Sequence, residues 1–106
     1  MRDWYTKIVL SQIYNGTIGY KTEYGSPPST SNNRELVRLL KGDNPRKIEF
    51  IYLKSRALNS AGDAIDRWGT PIRINLTDPN NPVVESAGPD RVWKTSDDLT
   101  DKVDFP

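Results

Sequence analysis

Apolar and polar positions from Trp4 to Tyr24 follow a broken three-to-four spacing. Trp4, Ile8 and the Gln12–Ile13 pair recur on one face, as do Tyr5 and Val9, and this predicts an amphipathic helix. Gly16 and Gly19 fall inside that pattern, each worth about 1 kcal/mol less than Ala in a helix interior. The second half of the helix therefore needs tertiary packing to hold. Gly25 is placed to end it, and Pro27–Pro28 prevents continuation. A polar, proline-rich connector follows. Asn32 then reads as an N-cap, with Glu35 three residues later in a capping box. Leu36, Leu39 and Leu40, widened by Val37, give the next helix one apolar face. Lys41 suits its last turn, and Gly42 the position just past its end.

Beyond Gly42 the period changes. Asp43–Asn44–Pro45 is a turn, and Ile48 with Phe50–Leu53 is an apolar run suited to a strand or an extended packing segment. Asn59–Asp63 is a loop, and Asp66–Arg67–Trp68–Gly69–Thr70–Pro71 is a second compact turn. Ile72, Ile74 and Leu76 alternate with Arg73 and Asn75, the signature of a strand. Asp78–Pro79–Asn80–Asn81 is a strong turn signal. Val83 and Val84 open a further strand, so residues 71–87 read as an antiparallel hairpin. Helix, short helix, then strands predicts an α+β fold, with an N-terminal α-helix packed on a small antiparallel β-sheet. One domain, 1–106, divides into a helix (1–25), a short helix with a variable segment (26–65), and a hairpin with a terminal loop (66–106).

Composition narrows what such a domain can do. Hydrophobic residues are 35% of the chain and charged residues 27%, which implies a small core helped by other contacts. Histidine and cysteine are both absent, which removes the commonest general base, thiolate chemistry, disulfides and any Ser-His-Asp triad. Net charge is +1 with no basic block, which argues against a nucleic-acid groove. No apolar run approaches the roughly 20 residues that span a bilayer.

The richest chemistry lies in SAGPDRVWKTSDDL, from Ser86 to Leu99. Asp90, Asp97 and Asp98 share one short loop with Thr95. Such carboxylates either splay into water, as in an ordinary acidic turn, or share a cation. A hard cation such as calcium takes about six to eight oxygens from carboxylates, hydroxyls, carbonyls and water. The loop is not an EF-hand. Counting from Asp90, the third, fifth and sixth positions are Val92, Lys94 and Thr95, where that loop needs oxygen ligands and then Gly. Asp63, Asp66, Asp90 and Asp97 supply carboxylates for an acid pair of the glycosidase kind, but no second motif marks a cleft. Trp68 and Trp93 could serve as ligand platforms. Burial is the commoner use of large aromatics, and for Trp68, Tyr20 and Tyr24 the expectation is packing, the tyrosines against the sheet.

Three signals in one order resemble a known family. They are Tyr20–Gly25 followed by prolines, Asp66–Pro71, and Ser86–Asp90 followed by Thr95–Leu99. The chain resembles the soluble domain of type IV pilin-like proteins. It is most similar to the major pseudopilin of type II secretion systems, whose corresponding motifs read YxxxYGxYP, DPWGxPY and SLGPDG followed by an acidic pair. The resemblance implies a structural, non-catalytic subunit. It would polymerise into a periplasmic filament, contact other pseudopilins and inner-membrane secretion components, and aid export of folded proteins. It also implies an inner-membrane anchor, an N-terminal apolar helix that would precede Met1. It further implies one structural Ca2+ in the last loop, held by Asp90, Asp97 and Asp98, by Thr95, and by the backbone carbonyls of Ala87 and Val92. Trp93 is then expected to pack back onto the sheet. A type IV or competence pilin, or a calcium-stabilised surface or binding protein of the same fold, is the alternative. The chain departs from the family pattern at Arg67 (usually Pro), Ile72 (usually Tyr), Arg91 (usually Gly) and Thr100–Asp101–Lys102 (often Gly-Asn-Trp).

Overall fold

Helix α1, Trp4–Tyr24, crosses one face of a three-stranded antiparallel sheet in the order β1–β2–β3. The computed structural model describes residues 4–30, 32–78, 81–88, 93 and 99–100. Helix α2 is Asn33–Lys41, and the strands are β1 Arg73–Asn75, β2 Val83–Ser86 and β3 Leu99–Thr100. β1 pairs with β2 through Ile74↔Val84, and β2 with β3 through Ser86↔Leu99. The predicted α+β order and the hairpin are therefore present, and β3, too short to carry a periodic pattern, is added to them.

The buried stripe of α1 is not the one the spacing of aromatic and branched residues suggests. Val9, Leu10 and Ile13 are in the core, whereas Ile8 is 44% exposed. The stripe runs Thr6, Val9–Leu10, Ile13, Gly16–Thr17, and two of its members are threonines whose polarity disguises it. Thr17 Oγ1 donates to the Ile13 carbonyl at 2.8 Å, and Thr6 Oγ1 accepts from Arg67 N at 3.1 Å. Both hydroxyls are thus buried without an unpaired group.

Gly16 faces the 50–51 backbone. A Cβ there would lie 2.4 Å from Ile51 Cγ2 and 3.4 Å from the Phe50 carbonyl oxygen. The glycine that weakens the helix locally is what lets the extended segment 48–53 lie against it. That segment forms no strand; Phe50 N and Ile51 N both donate to the Leu40 carbonyl, tying it to the end of α2. Tyr20 and Tyr24 pack against Phe50, with ring centroids 5.7 and 6.3 Å away, rather than against the sheet.

α2 is capped as its sequence predicts, with one change. Glu35 N donates to Asn32 Oδ1 at 3.2 Å. The return bond of the box is relayed: Asn32 N donates to Thr30 Oγ1, which donates to Glu35 Oε1. Gly42, at φ 134°, returns its amide to the carbonyls of Arg38 and Leu39. The core between the helices and the sheet is small, and side-chain amides compensate for sparse ladders. Asn33, in the first turn of α2, donates to the carbonyls of Ala64 and Ile72 and accepts from Ala64 N at 2.7 Å. Asn44 donates to Leu39 O and Ile48 O and accepts from Ile48 N and the Tyr24 hydroxyl.

Two outcomes are expected. Gly16→Ala gains helix propensity yet lowers stability by about 1–3 kcal/mol through overpacking, measured by urea unfolding. Asn44→Ala leaves buried backbone groups unpaired and costs roughly 2–3 kcal/mol in the same assay.

Candidate cation loop and its anchor

The chain leaves the end of β2 at Ala87 and re-enters the sheet at β3, where Leu99 pairs with Ser86. Of the residues the sequence singled out, Ala87 is described; it has no exposed surface. Asp90, Val92, Thr95, Asp97 and Asp98 lie outside the described residues. Among the described residues no group of three or more acidic, His or Cys side chains gathers.

The mouth of the loop is held by a buried carboxylate in the middle of the chain. Asp66 is 2% exposed. Its Oδ1 accepts from Trp68 N and Thr70 N, both at 3.0 Å. Its Oδ2 accepts from the Ser86 hydroxyl at 2.7 Å. Asp66 N donates to the Thr70 carbonyl, and Gly69 N to the Asp66 carbonyl, with Gly69 at φ 88°. The Trp68–Gly69 turn is therefore wound around its own aspartate, a geometry that Asp favours because its side chain reaches amides a few residues on. A buried carboxylate is tolerated when donors surround it, and here three do. Arg67 N, one residue along, donates to Thr6 on α1, so the same turn also reaches the start of the helix.

Ser86 passes this anchorage to the loop. It is fully buried, and its Oγ accepts from Gly88 N at 3.1 Å. Gly88 sits at φ 82°, where a side chain is strained, so the turn after β2 suits glycine. Further along, Trp93 is half-buried and the Arg73 guanidinium lies 4.3 Å from the centroid of its ring. This cation–π contact fastens the loop to β1, which is the folding-back onto the sheet expected of Trp93.

Ala87 is buried, and the carboxylate and hydroxyl oxygens that a hard cation would need in this loop lie outside the described residues. Asp66 does not belong to an acid pair, because both of its oxygens are committed to donors from the protein. Sequence reasoning names Asp66 as a turn residue and a spare carboxylate, and gives the Ser86 hydroxyl no role. The signal for their partnership is weak. An Asp two residues before Trp-Gly marks a self-capped turn, but nothing in it identifies a partner 20 residues later.

No protein-family model, curated protein or solved structure matches this chain.

Replacing Asp66 tests the anchor. Asp66→Ala strands three buried donors and is expected to destabilise by about 3 kcal/mol or more. Asp66→Asn keeps an acceptor for the Trp68 and Thr70 amides and is expected to cost less. Thermal melts of both variants measure the order.

Proposed function

We propose that this domain is a structural filament subunit of the major-pseudopilin kind, with one calcium ion as a clasp in the loop 87–98. The observation that carries the reading is the Asp66–Ser86 hydrogen bond. It joins two of the three segments on which the family resemblance rests, the Asp66–Pro71 turn and the Ser86–Asp90 turn. Residues that act together in the fold are those that recur together in such a pattern. The long helix α1 laid across a small antiparallel sheet supports the same reading.

In this proposal Asp90, Asp97 and Asp98 supply carboxylate oxygens, Thr95 a further oxygen, and Ala87 and Val92 backbone carbonyls. The ion neutralises acids that would otherwise repel, and it fixes a segment with few apolar residues to bury. The role is mechanical rather than catalytic. A filament subunit must present the same surface to each neighbour, and an ordered loop makes that surface reproducible. The anchor, the system partners and the periplasmic setting belong to the full-length subunit of this proposal.

Calcium binding to the folded state alone adds about 2.7 kcal/mol at a hundredfold excess over Kd. For a domain of this size that corresponds to a rise in melting temperature of roughly 10 °C or more. The rise is expected in calcium against EGTA for the wild type, and it is expected to vanish in Asp90→Ala and Asp97→Ala. A wild-type melting temperature that ignores chelation sinks the calcium reading. The filament reading is tested separately, by whether the gene specifies an upstream apolar helix after a leader ending in Gly. Neighbouring genes for a secretin and a secretion ATPase would select secretion over a type IV or competence pilin.

A further inference from the structure

Among the described residues, two large apolar side chains stand open to water: Tyr52, 66% exposed, and Ile8, 44% exposed. Far apart in sequence, both line one groove between the first half of α1 and residues 52–57. Val9, Leu53 and Ala57, all buried, form its floor. The groove holds about 260 Å3. Tyr5 and Arg56 also line a second depression of about 450 Å3, beside Ile65, Arg67 and Gly69, so the two adjoin. Neither is enclosed. A small molecule would keep much of its surface in water there, whereas a length of chain lying across both would cover them together.

The charges around these depressions have one sign. Lys54, Arg56 and Arg67 line them. Among the described lining residues the one carboxylate is Asp66, which is buried with both oxygens committed. The Lys54 and Arg56 side chains make no ion pair or hydrogen bond among the described residues. The Arg56 guanidinium lies over the Tyr5 ring, 5.6 Å from its centroid. A guanidinium stacked in this way keeps its in-plane N–H donors for a carboxylate, which it can grip with two bonds. Tyr52 N donates to Gln12 Oε1 at 3.0 Å, so the exposed ring projects from backbone already anchored to α1. Little order is lost when a partner covers such a ring. Exposed apolar side chains rimmed by charge mark interaction surfaces, where Tyr and Arg carry much of the binding.

We infer that this groove docks an acidic peptide segment of a partner protein. An apolar side chain of the segment lies between Ile8 and Tyr52. A neighbouring carboxylate pairs with Arg56, and Lys54 and Arg67 add to the attraction. The inference goes beyond the filament reading and rests on neither the calcium ion nor assembly.

The test is an array of immobilised hexapeptides that carries every pairing of residues at the two central positions, probed with the labelled domain. The strongest binder is then titrated into the isotope-labelled domain and followed by NMR. Peptides that join Asp or Glu to Phe, Tyr, Leu or Ile are expected to bind, with amide shifts centred on Ile8, Tyr52 and Arg56. Tyr52→Ser and Arg56→Gln change exposed positions on a common segment and are expected to keep the wild-type melting temperature. Each is expected to weaken binding about tenfold or more. Arg56→Glu is expected to move the preference from acidic peptides towards Lys and Arg. An array with no binder above background, selection that ignores charge, shifts confined to another face, or wild-type affinity in both variants overturns the docking site. Dimerisation in sedimentation velocity that Tyr52→Ser abolishes assigns the groove to a second copy of the chain, and overturns the peptide assignment.

Discussion

The carboxylate of Asp66 closes together three parts of the chain that are far apart in sequence. Its own turn winds around Oδ1, the end of β2 hangs from Oδ2, and the neighbouring amide of Arg67 reaches Thr6 at the start of α1. A charged group is costly to bury unless every lone pair that faces the interior has a donor. That cost makes the arrangement specific. A loop slipped by one residue would leave the carboxylate short of donors and is disfavoured accordingly. The sheet is then pinned where its last loop begins, by a bond that does not depend on how the rest of that loop is filled.

The same device recurs wherever regular structure runs short. Asn33 inserts its amide between the backbones of Ala64 and Ile72, and Asn44 joins the end of α2 to the segment at Ile48 and to the Tyr24 hydroxyl. Each amide offers donors and an acceptor together, so one side chain can replace several rungs of a ladder. A chain with 35% hydrophobic residues builds a modest core, and these polar ties account for how its long connecting segments remain packed. The reliance on individual side chains has a consequence. Single polar positions therefore matter to stability beside the apolar core.

Much of the fold is legible because it rests on local rules. The limits of α1, the Asn32 cap, the glycine at the end of each helix and the hairpin of β1 and β2 follow from propensity, capping and alternation. The buried face of α1 is misjudged for a reason that is also local. Thr6, Gly16 and Thr17 contribute little hydrophobicity, so Ile8 draws the stripe off its true centre, while Tyr5 packs at the edge of the core that Val9 and Ile13 enter. The tyrosines are packing residues, as their type suggests, but their partner is Phe50, brought near by the turn at Asn44. Of the proposed site, the oxygen-rich composition of the loop is evident from its letters, whereas its support is not.

The sequence by itself determined which segments are helical, where they stop, that an antiparallel hairpin follows, and that oxygen-bearing side chains cluster near the chain's end. Each of these depends on residues within a few positions of one another. Only the tertiary structure decided that Gly16 must be small, that Asp66 is an anchor rather than a free acid, and that Ser86 faces it. Those facts depend on contacts between distant segments, whose residue types are compatible with many partners. Packing selects one of them, because a buried donor or acceptor left unpaired costs more than any local preference gains.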